Sequence, residues 1–306
     1  MQPELRHLRY LLAVAEHGNF TRAAEELHIA QPTLSQQIKQ LEKALGAQLL
    51  DRTGRTVRLT DAGETYARYA RRALRDLAAG ERAVLDVRDL SRGHLRLAVT
   101  PTFTAYLTGP LVAAFHTRHP GITVEVRELT QDRIEAELLA DRVDLGIAFD
   151  GVHLAGVEAT GLFTETLGLV VGPAHPHAGR TEPLPVSELT GHHFALLSED
   201  FATRRHVDTY VAEHRVGPRI AVEANSVSAL TEIVRRTALA TVLPDAVTRD
   251  HPYLRPVPLS PALPSRGVAL LRRTGGYRSA AAESFAELAA AEAVPGDGTD
   301  RGHPIG

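Results

Sequence analysis

The stretch Gln31-Pro32-Thr33-Leu34-Ser35-Gln36-Gln37-Ile38-Lys39-Gln40-Leu41 combines an apolar stripe with a polar one. Leu34, Ile38 and Leu41 recur at three- and four-residue spacing, as one buried face of a helix requires. If that face docks, Gln36 points away from it, with Lys39 and Gln40 alongside, while Gln31, Thr33 and Ser35 lie near the helix start. A Gln amide can pair bidentately with adenine, and small hydroxyls with backbone N–H groups suit phosphate, so this face has the chemistry of a helix that reads a major groove. Pro32 fits the first helical turn, where its missing N–H is not needed. Thr21 is expected to cap the preceding helix and to share the same DNA-facing surface. Arg52, Arg55 and Arg58 bracket a Thr53-Gly54 turn, and long cations at a hairpin tip reach phosphate or a narrow minor groove.

A second group of residues carries different chemistry. Thr100-Pro101-Thr102-Phe103, Phe149-Asp150, Ser198 through Thr203, and Asn225-Ser226 each follow an expected strand. Ligands of open α/β sheets bind outside the carboxyl ends of strands. Thr100, Thr102, Ser198 and Thr203, supported by Asn225, are therefore expected to cradle a small anion with hydroxyls and helix-start N–H groups. Pro101 and Phe103 belong to the first of these loops, and Phe149 and Phe201 are expected to close the pocket. Helix capping is the competing use for each hydroxyl. Arg204 is a possible counter-charge, although adjacent arginines on a helix are usually solvated.

The elements that position these residues follow from periodicity. Residues 5–46 read as three short helices, ended by Gly18 and Gly46. Residues 49–60 read as a hairpin in which Val57 and Leu59 alternate with Arg58. Thr60 then caps a long helix running from Asp61 to about Leu90, with Glu64 near its third position. Tyr66, Ala70, Ala73, Leu77, Gly80 and Val84 lie on it at heptad-like spacing, which predicts a self-associating seam. Ser91-Arg92-Gly93 breaks the pattern. Beyond it strands and helices alternate: strand 95–100, helix 105–118, strand 122–127, helix 131–140 and strand 143–149. A second set follows: strands 167–171, 194–197, 219–223, 239–243 and 267–271, with helices 204–214, 226–235 and 280–291. This order predicts two parallel α/β lobes with a cleft between them. The domains are expected at 1–60, 61–90 and 91–293, with a disordered Gly-, Asp- and Pro-rich tail at 294–306.

Composition removes several function classes. The chain has 306 residues and no cysteine, which excludes disulfides, thiol catalysis and Cys-based metal sites. It contains no P-loop, no G-x-S-x-G and no H-E-x-x-H, so an enzyme is not expected and no cofactor or metal is called for. His175-Pro176-His177 and His192-His193 read as loop histidines. No apolar run spans a bilayer and no secretory signal is visible, so a cytoplasmic protein is expected without a membrane partner. Residues 1–90 carry 14 Lys and Arg against 12 Asp and Glu, and the remainder carries 20 against 25. The mild asymmetry fits an N-terminal part that meets a polyanion.

Helix, tight turn, polar-faced helix and Arg-bearing hairpin make a winged helix-turn-helix. Phe20-Thr21-Arg22-Ala23-Ala24, Leu27 through Ile38, Leu41-Glu42 through Leu49, Asp51-Arg52, Leu59-Thr60 and Ala62-Gly63 closely resemble the LysR-type transcriptional regulators. The resemblance covers about residues 5–292, with Thr33 where Ala is usual and Leu50 where Phe is usual. It implies an α+β chain: an N-terminal winged helix-turn-helix, a long dimerising linker helix, and a C-terminal two-lobed effector domain of the type 2 periplasmic-binding-protein kind. It also implies double-stranded promoter DNA, RNA polymerase and a small-molecule effector as partners, with assembly as dimer or tetramer. Within the family, Ala98 through Thr104, Asp144 through Phe149, Leu197 through Arg204, Glu223 through Ala229 and Ala269 through Arg273 resemble activators of cyanate-detoxification operons. That likeness implies cyanate, a small linear monoanion, as effector. Aromatic carboxylates or other small anions would suit the same hydroxyl-lined loops.

Overall fold

The computed structural model describes residues 3–85, 90–249 and 251–292, so the expected tail at 294–306 lies outside the described residues. The chain divides into two compact units, one ending at Leu85 and one beginning at Asp86.

The first unit holds α1 (Leu5–His17), α2 (Phe20–Glu26), α3 (Gln31–Leu45), β1 (Leu50–Asp51), β2 (Arg58–Leu59) and α4 (Asp61–Leu85). Gly18 and Gly46 close α1 and α3 at φ 59° and 65°, the left-handed conformation that glycine adopts without strain. Asn19 caps α2, its side chain accepting from the N–H groups of Thr21 and Arg22. Thr21 is therefore inside the helix and is not its cap. An Asn one residue past a helix-ending glycine caps the next helix within a two-residue turn, which leaves no room for a later start. Leu11, Val14, Ala23, Leu34, Ile38, Leu41, Leu49 and Leu50 form one buried core. Each leucine fully buried there contributes roughly 1.5–3 kcal/mol.

β1 and β2 pair antiparallel, Leu50 opposite Leu59. A loop over residues 52–57 replaces the expected two-residue turn at Thr53-Gly54, because Asp51 Oδ1 accepts from both the N–H and the hydroxyl of Thr53. The Val57 N–H donates to Gly18 O at 2.8 Å and ties the wing to the end of α1. Thr60 caps α4 as expected: its hydroxyl accepts from Gly63 N–H and donates to Gln48 O. The described part of α4 has 25 residues, about 37 Å of helix, and Leu90 lies beyond it at φ 59°, outside helical geometry. Residues 86–89 lie outside the described set. Of the expected seam, Ala70 is buried, whereas Leu77 and Val84 are exposed.

The second unit holds β3 (Gly93–Val99), α5 (Pro101–Thr104), α6 (Thr108–Arg118), β4 (Ile122–Glu128), α7 (Gln131–Leu139), β5 (Leu145–Phe149), β6 (Val157–Glu165) and β7 (Leu167–Val171). Then come β8 (Leu184–Pro185), β9 (His193–Leu197), α8 (Ala202–Glu213), β10 (Arg219–Ala224), α9 (Val227–Arg236), β11 (Ala240–Pro244), α10 (Asp245–Arg249), β12 (Arg255–Val257), β13 (Leu259–Ser260), β14 (Arg266–Arg273) and α11 (Ala280–Glu292).

Two five-stranded sheets result, ordered β4-β3-β5-β14-β6 in lobe I and β10-β9-β11-β7-β12 in lobe II. Neither is purely parallel. β14 runs antiparallel to β5 and β6, and β7 antiparallel to β11. The alternation of strands and helices predicted the parallel halves but not these returns. β6 escaped the sequence reading because it is a half-exposed edge strand with Gly161 inside it, so it lacks an apolar alternation. β14 and α11 follow lobe II in sequence but belong to lobe I, where Phe285 of α11 packs on Phe115 of α6.

Period-2 alternation buries both faces of each sheet. In lobe I, Leu95, Leu97 and Val99 face α6 and α11, while Ala98 faces Ile134 and Leu138 of α7. In lobe II, Leu169, Phe194 and Leu196 face Val207 and Tyr210 of α8, while Val170, Ala195 and Leu197 face Leu230 and Val234 of α9. The chain crosses from lobe I to lobe II between Glu165 and Leu167 and returns just before Arg266.

Candidate functional site

On α3, burial of Leu34, Ile38 and Leu41 leaves Gln31, Pro32, Thr33, Gln36 and Lys39 exposed and Ser35 and Gln40 half-buried. The intervening Gln37 faces inward instead. Buried His7 accepts the Glu4 N–H on Nδ1, so its Nε2–H donates to Gln37 Oε1 at 2.9 Å. This bond fixes α1 against the polar-faced helix.

The three wing arginines differ in their surroundings. Arg55 and Arg58 are exposed. The Arg52 guanidinium donates to Glu42 Oε2 at 2.8 Å and lies over the Phe20 ring at 5.3 Å. Glu42 Oε1 accepts the N–H groups of Leu49 and Leu50. The Arg52 ion pair locks the wing onto α3. Spacing alone did not show that Glu42, ten residues away, would reach it.

In the second unit, the strand-end loops of both lobes meet directly. Thr102 Oγ1 and Thr203 Oγ1 are 3.0 Å apart, and both residues are buried. Arg266 Nη2 donates to the same Thr203 hydroxyl at 3.0 Å. Its guanidinium carbon stands 3.7 Å from the centroid of the Phe149 ring, and its Nε donates to Glu165 Oε2 at 2.6 Å. The Tyr106 hydroxyl donates to Glu165 Oε1 at 2.6 Å. Arg266 Nη1 is buried here without a protein partner, and Thr100 Oγ1, after β3, is likewise buried and unpaired. Burial pushes the Tyr106 phenol far up, with the Glu165 charge adding to it, so this group stays a donor. Burial pulls the other way on Arg266, and Glu165 opposes that loss. A guanidinium keeps its proton even so.

The remaining expected residues divide. Ser198 is half-buried at the end of β9, and Pro101 begins α5. Phe103 is buried in the lobe I core with its ring 4.9 Å from that of Phe149, and Phe201 is buried in the lobe II core. Asn225 is exposed after β10, the edge strand; Ser226 caps α9. No side-chain cap forms at Thr100, and α5 has only four residues, too short for a helix terminus to hold an anion. Arg204 is buried, donating to Asp208, Glu223 and the carbonyl of Leu197. Burial works against its charge, and the two carboxylates outweigh that, raising its pKa. It is a structural hub and not the counter-charge.

Residues 5–64 match the family described as "Bacterial regulatory helix-turn-helix protein, lysR family", and residues 88–294 match "LysR substrate binding domain". The RuBisCO operon transcriptional regulator of Allochromatium vinosum is 31% identical over 297 residues, covering 96% of this chain and 98% of that protein. The chain belongs to the LysR family of transcriptional regulators. Among solved structures, a cysteine-to-aspartate variant of full-length OxyR from Pseudomonas aeruginosa is similar with a TM-score of 0.68 at 25% identity, covering 94% of this chain and 95% of that one. Full-length CbnR in complex with its target DNA gives 0.56 at 26% identity, covering 95% and 100%. None of these three names cyanate.

This LysR-type regulator is thus a DNA-binding protein with an effector domain, not an enzyme. Among its described residues, no helix is long and apolar enough to cross a membrane. What the sequence reading missed where its lobes meet is Arg266, Glu165 and Tyr106. Arg266 precedes an apolar strand and looks like a solvated strand end; only the return of β14 beside β6 turns it inward.

The regulator's loop histidines also come together. His175, His177 and His192 have ring centroids 5.3 to 6.1 Å apart. His175 Nδ1 accepts the His177 N–H, and among the described residues no group of three ligating side chains is arranged for a metal. Burial, with His177 and His192 adding to it, brings the His175 pKa from 6.5 down to about 4. Between these values the unfolded chain binds a proton that the folded chain does not. Stability is full above pH 6.5 and falls as the pH drops toward 4. Urea unfolding is expected to show about 2 kcal/mol lost between pH 7 and pH 5 through this group. The loss should shrink in His175→Gln; an identical loss in that variant would assign it elsewhere.

Proposed function

We propose that this LysR-type regulator is a transcription switch set by a small anion, and that it controls an operon beside its own gene. The observation that carries this reading is the buried Arg266 guanidinium, whose Nη1 has no partner while its Nη2 donates to the Thr203 hydroxyl that meets Thr102. A buried cation with a free donor is suited to an acceptor-bearing ligand. On the DNA side, Gln31, Thr33, Ser35, Gln36, Lys39 and Gln40 read the major groove, with Thr21 and Arg55 at phosphates. The exposed stripe of α4, including Leu77 and Val84, supports self-association as a dimer or tetramer on two-fold-related half-sites. Contact with RNA polymerase and activation of transcription follow from the family reading.

Cyanate is our specific candidate, supported by the segment likenesses and by a site of hydroxyls around one guanidinium. An aromatic carboxylate is the second reading, favoured by the Phe149 face beneath Arg266. A thiol-based peroxide response is barred because the chain has no cysteine. The test is a footprint of the full-length protein on the DNA upstream of its own gene, with and without cyanate, formate, nitrate and benzoate. Protection that changes in extent or hypersensitivity with one of these supports the reading and names the anion. Protection indifferent to every anion leaves a ligand-independent DNA-binding protein.

Gln36→Ala is expected to weaken operator binding by roughly 1–3 kcal/mol and to flatten base preference at one position of each half-site. The side chain is exposed, so thermal stability should not move. Anisotropy titrations against operators altered one base at a time check this; unaltered selectivity would remove Gln36 from the reading face.

A further inference from the structure

We propose that Glu165 is the specificity-determining residue of the buried contact between the lobes: a built-in carboxylate that an anionic effector must displace from Arg266. This rests on the reading of the cleft as an anion site. Glu165 and Arg266 are cross-strand partners in register, the last residue of β6 and the first of β14. Their side chains are 3% and 10% exposed. Arg266 therefore carries one positive charge already matched by one buried carboxylate.

A second anion placed on Arg266 Nη1 would leave the cluster with net negative charge in a site closed to water. Uncompensated buried charge is strongly unfavourable. Anion binding thus requires Glu165 to give up the guanidinium. A neutral ligand has no such requirement, since it can accept from Nη1 while the pair stays intact. Glu165 filters ligands by charge and sets the concentration at which an anion takes hold.

The displacement also reports itself. Glu165 stands where the chain leaves lobe I, and Arg266 stands where it returns, so breaking their pair loosens both crossings at once. Tyr106 of lobe I, which donates to Glu165, loses its acceptor in the same step. The chain has seven tyrosines and no tryptophan, so tyrosine emission is readable directly.

The experiment titrates the full-length protein with cyanate, formate and benzoate, and with benzamide as the neutral counterpart of benzoate, following tyrosine fluorescence and thermal shift. Glu165→Gln is expected to bind anions at least about tenfold more tightly than wild type while benzamide affinity stays unchanged. Tyr106→Phe, which keeps the ion pair but removes one tie on the carboxylate, is expected to raise anion affinity severalfold and to abolish most of the fluorescence change. It carries the test if Glu165→Gln does not fold. Equal anion affinity in wild type and both folded variants overturns the role of Glu165 and leaves the cleft an anion site. Tightening for benzamide as much as for benzoate overturns it too. Failure of wild type and variants alike to bind any anion overturns the anion reading itself.

Discussion

Arg266→Met is expected to abolish the response to every anionic effector while leaving DNA affinity intact, and to destabilise the effector domain by about 3–5 kcal/mol. The functional loss follows from removing the cation with a free donor in the cleft. The stability loss has a separate cause. Glu165 is left buried, accepting from Tyr106 but without a charge partner. Removing both charges tells the two apart. Arg266→Met with Glu165→Leu should recover most of the lost stability, since well-packed apolar replacements of buried pairs are often near neutral. It should not recover the response. Urea unfolding and footprinting of both variants measure these outcomes. A double variant as unstable as the single would mean that Arg266 matters for packing on Phe149 more than for charge.

Gly63→Ala is expected to be as damaging in the DNA-binding unit, and by a purely steric route. A Cβ at Gly63 would overlap the carbonyl oxygen of Leu49, a backbone atom that cannot rotate away. The same Leu49 carbonyl accepts the Thr60 N–H, so the overlap falls on the joint between wing and α4. Helix propensity favours Ala over Gly by about 1 kcal/mol, and the overlap should reverse that sign. A loss of several kcal/mol, with specific DNA binding lost as the wing moves off α3, is the expected result. Gly80→Ala is the control: its Cβ meets nothing within 4 Å in the same helix, and it should stabilise slightly. Comparable melting temperatures for the two variants would show that the wing yields more easily than its hydrogen bonds imply.

The polar face of α3 was largely legible because its determinants are local. Leu34, Ile38 and Leu41 lie within one helix, and their spacing alone decides which side chains face out. The helix ends at Gly18 and Gly46 and the cap at Thr60 are likewise written in neighbouring residues. Where the reading failed in this unit, a partner just beyond the local window was responsible. Asn19 took the cap from Thr21, and Glu42 pairs with Arg52 ten residues away.

The cleft was legible only in outline. Thr100, Thr102, Phe149, Ser198 and Thr203 were placed by the rule that α/β ligands sit at strand ends. The hydroxyls of Thr102 and Thr203 do meet, across 101 residues of sequence. Phe103 and Phe201 are buried in the lobe cores and Asn225 is exposed, since strand-end position does not say which way a side chain turns.

By itself, then, the sequence determined the order of the main helices and strands, the polar face of α3, the absence of thiol chemistry and the likeness to the LysR family. All of these rest on periodicity, composition or contiguous motifs. Only the tertiary structure decided that β14 returns to lobe I beside β6, and with it that Arg266 meets Glu165, Tyr106, Phe149 and Thr203. The physical reason is that a buried charge is tolerated only where its partners converge, and convergence between residues about a hundred positions apart leaves no periodic trace in the chain.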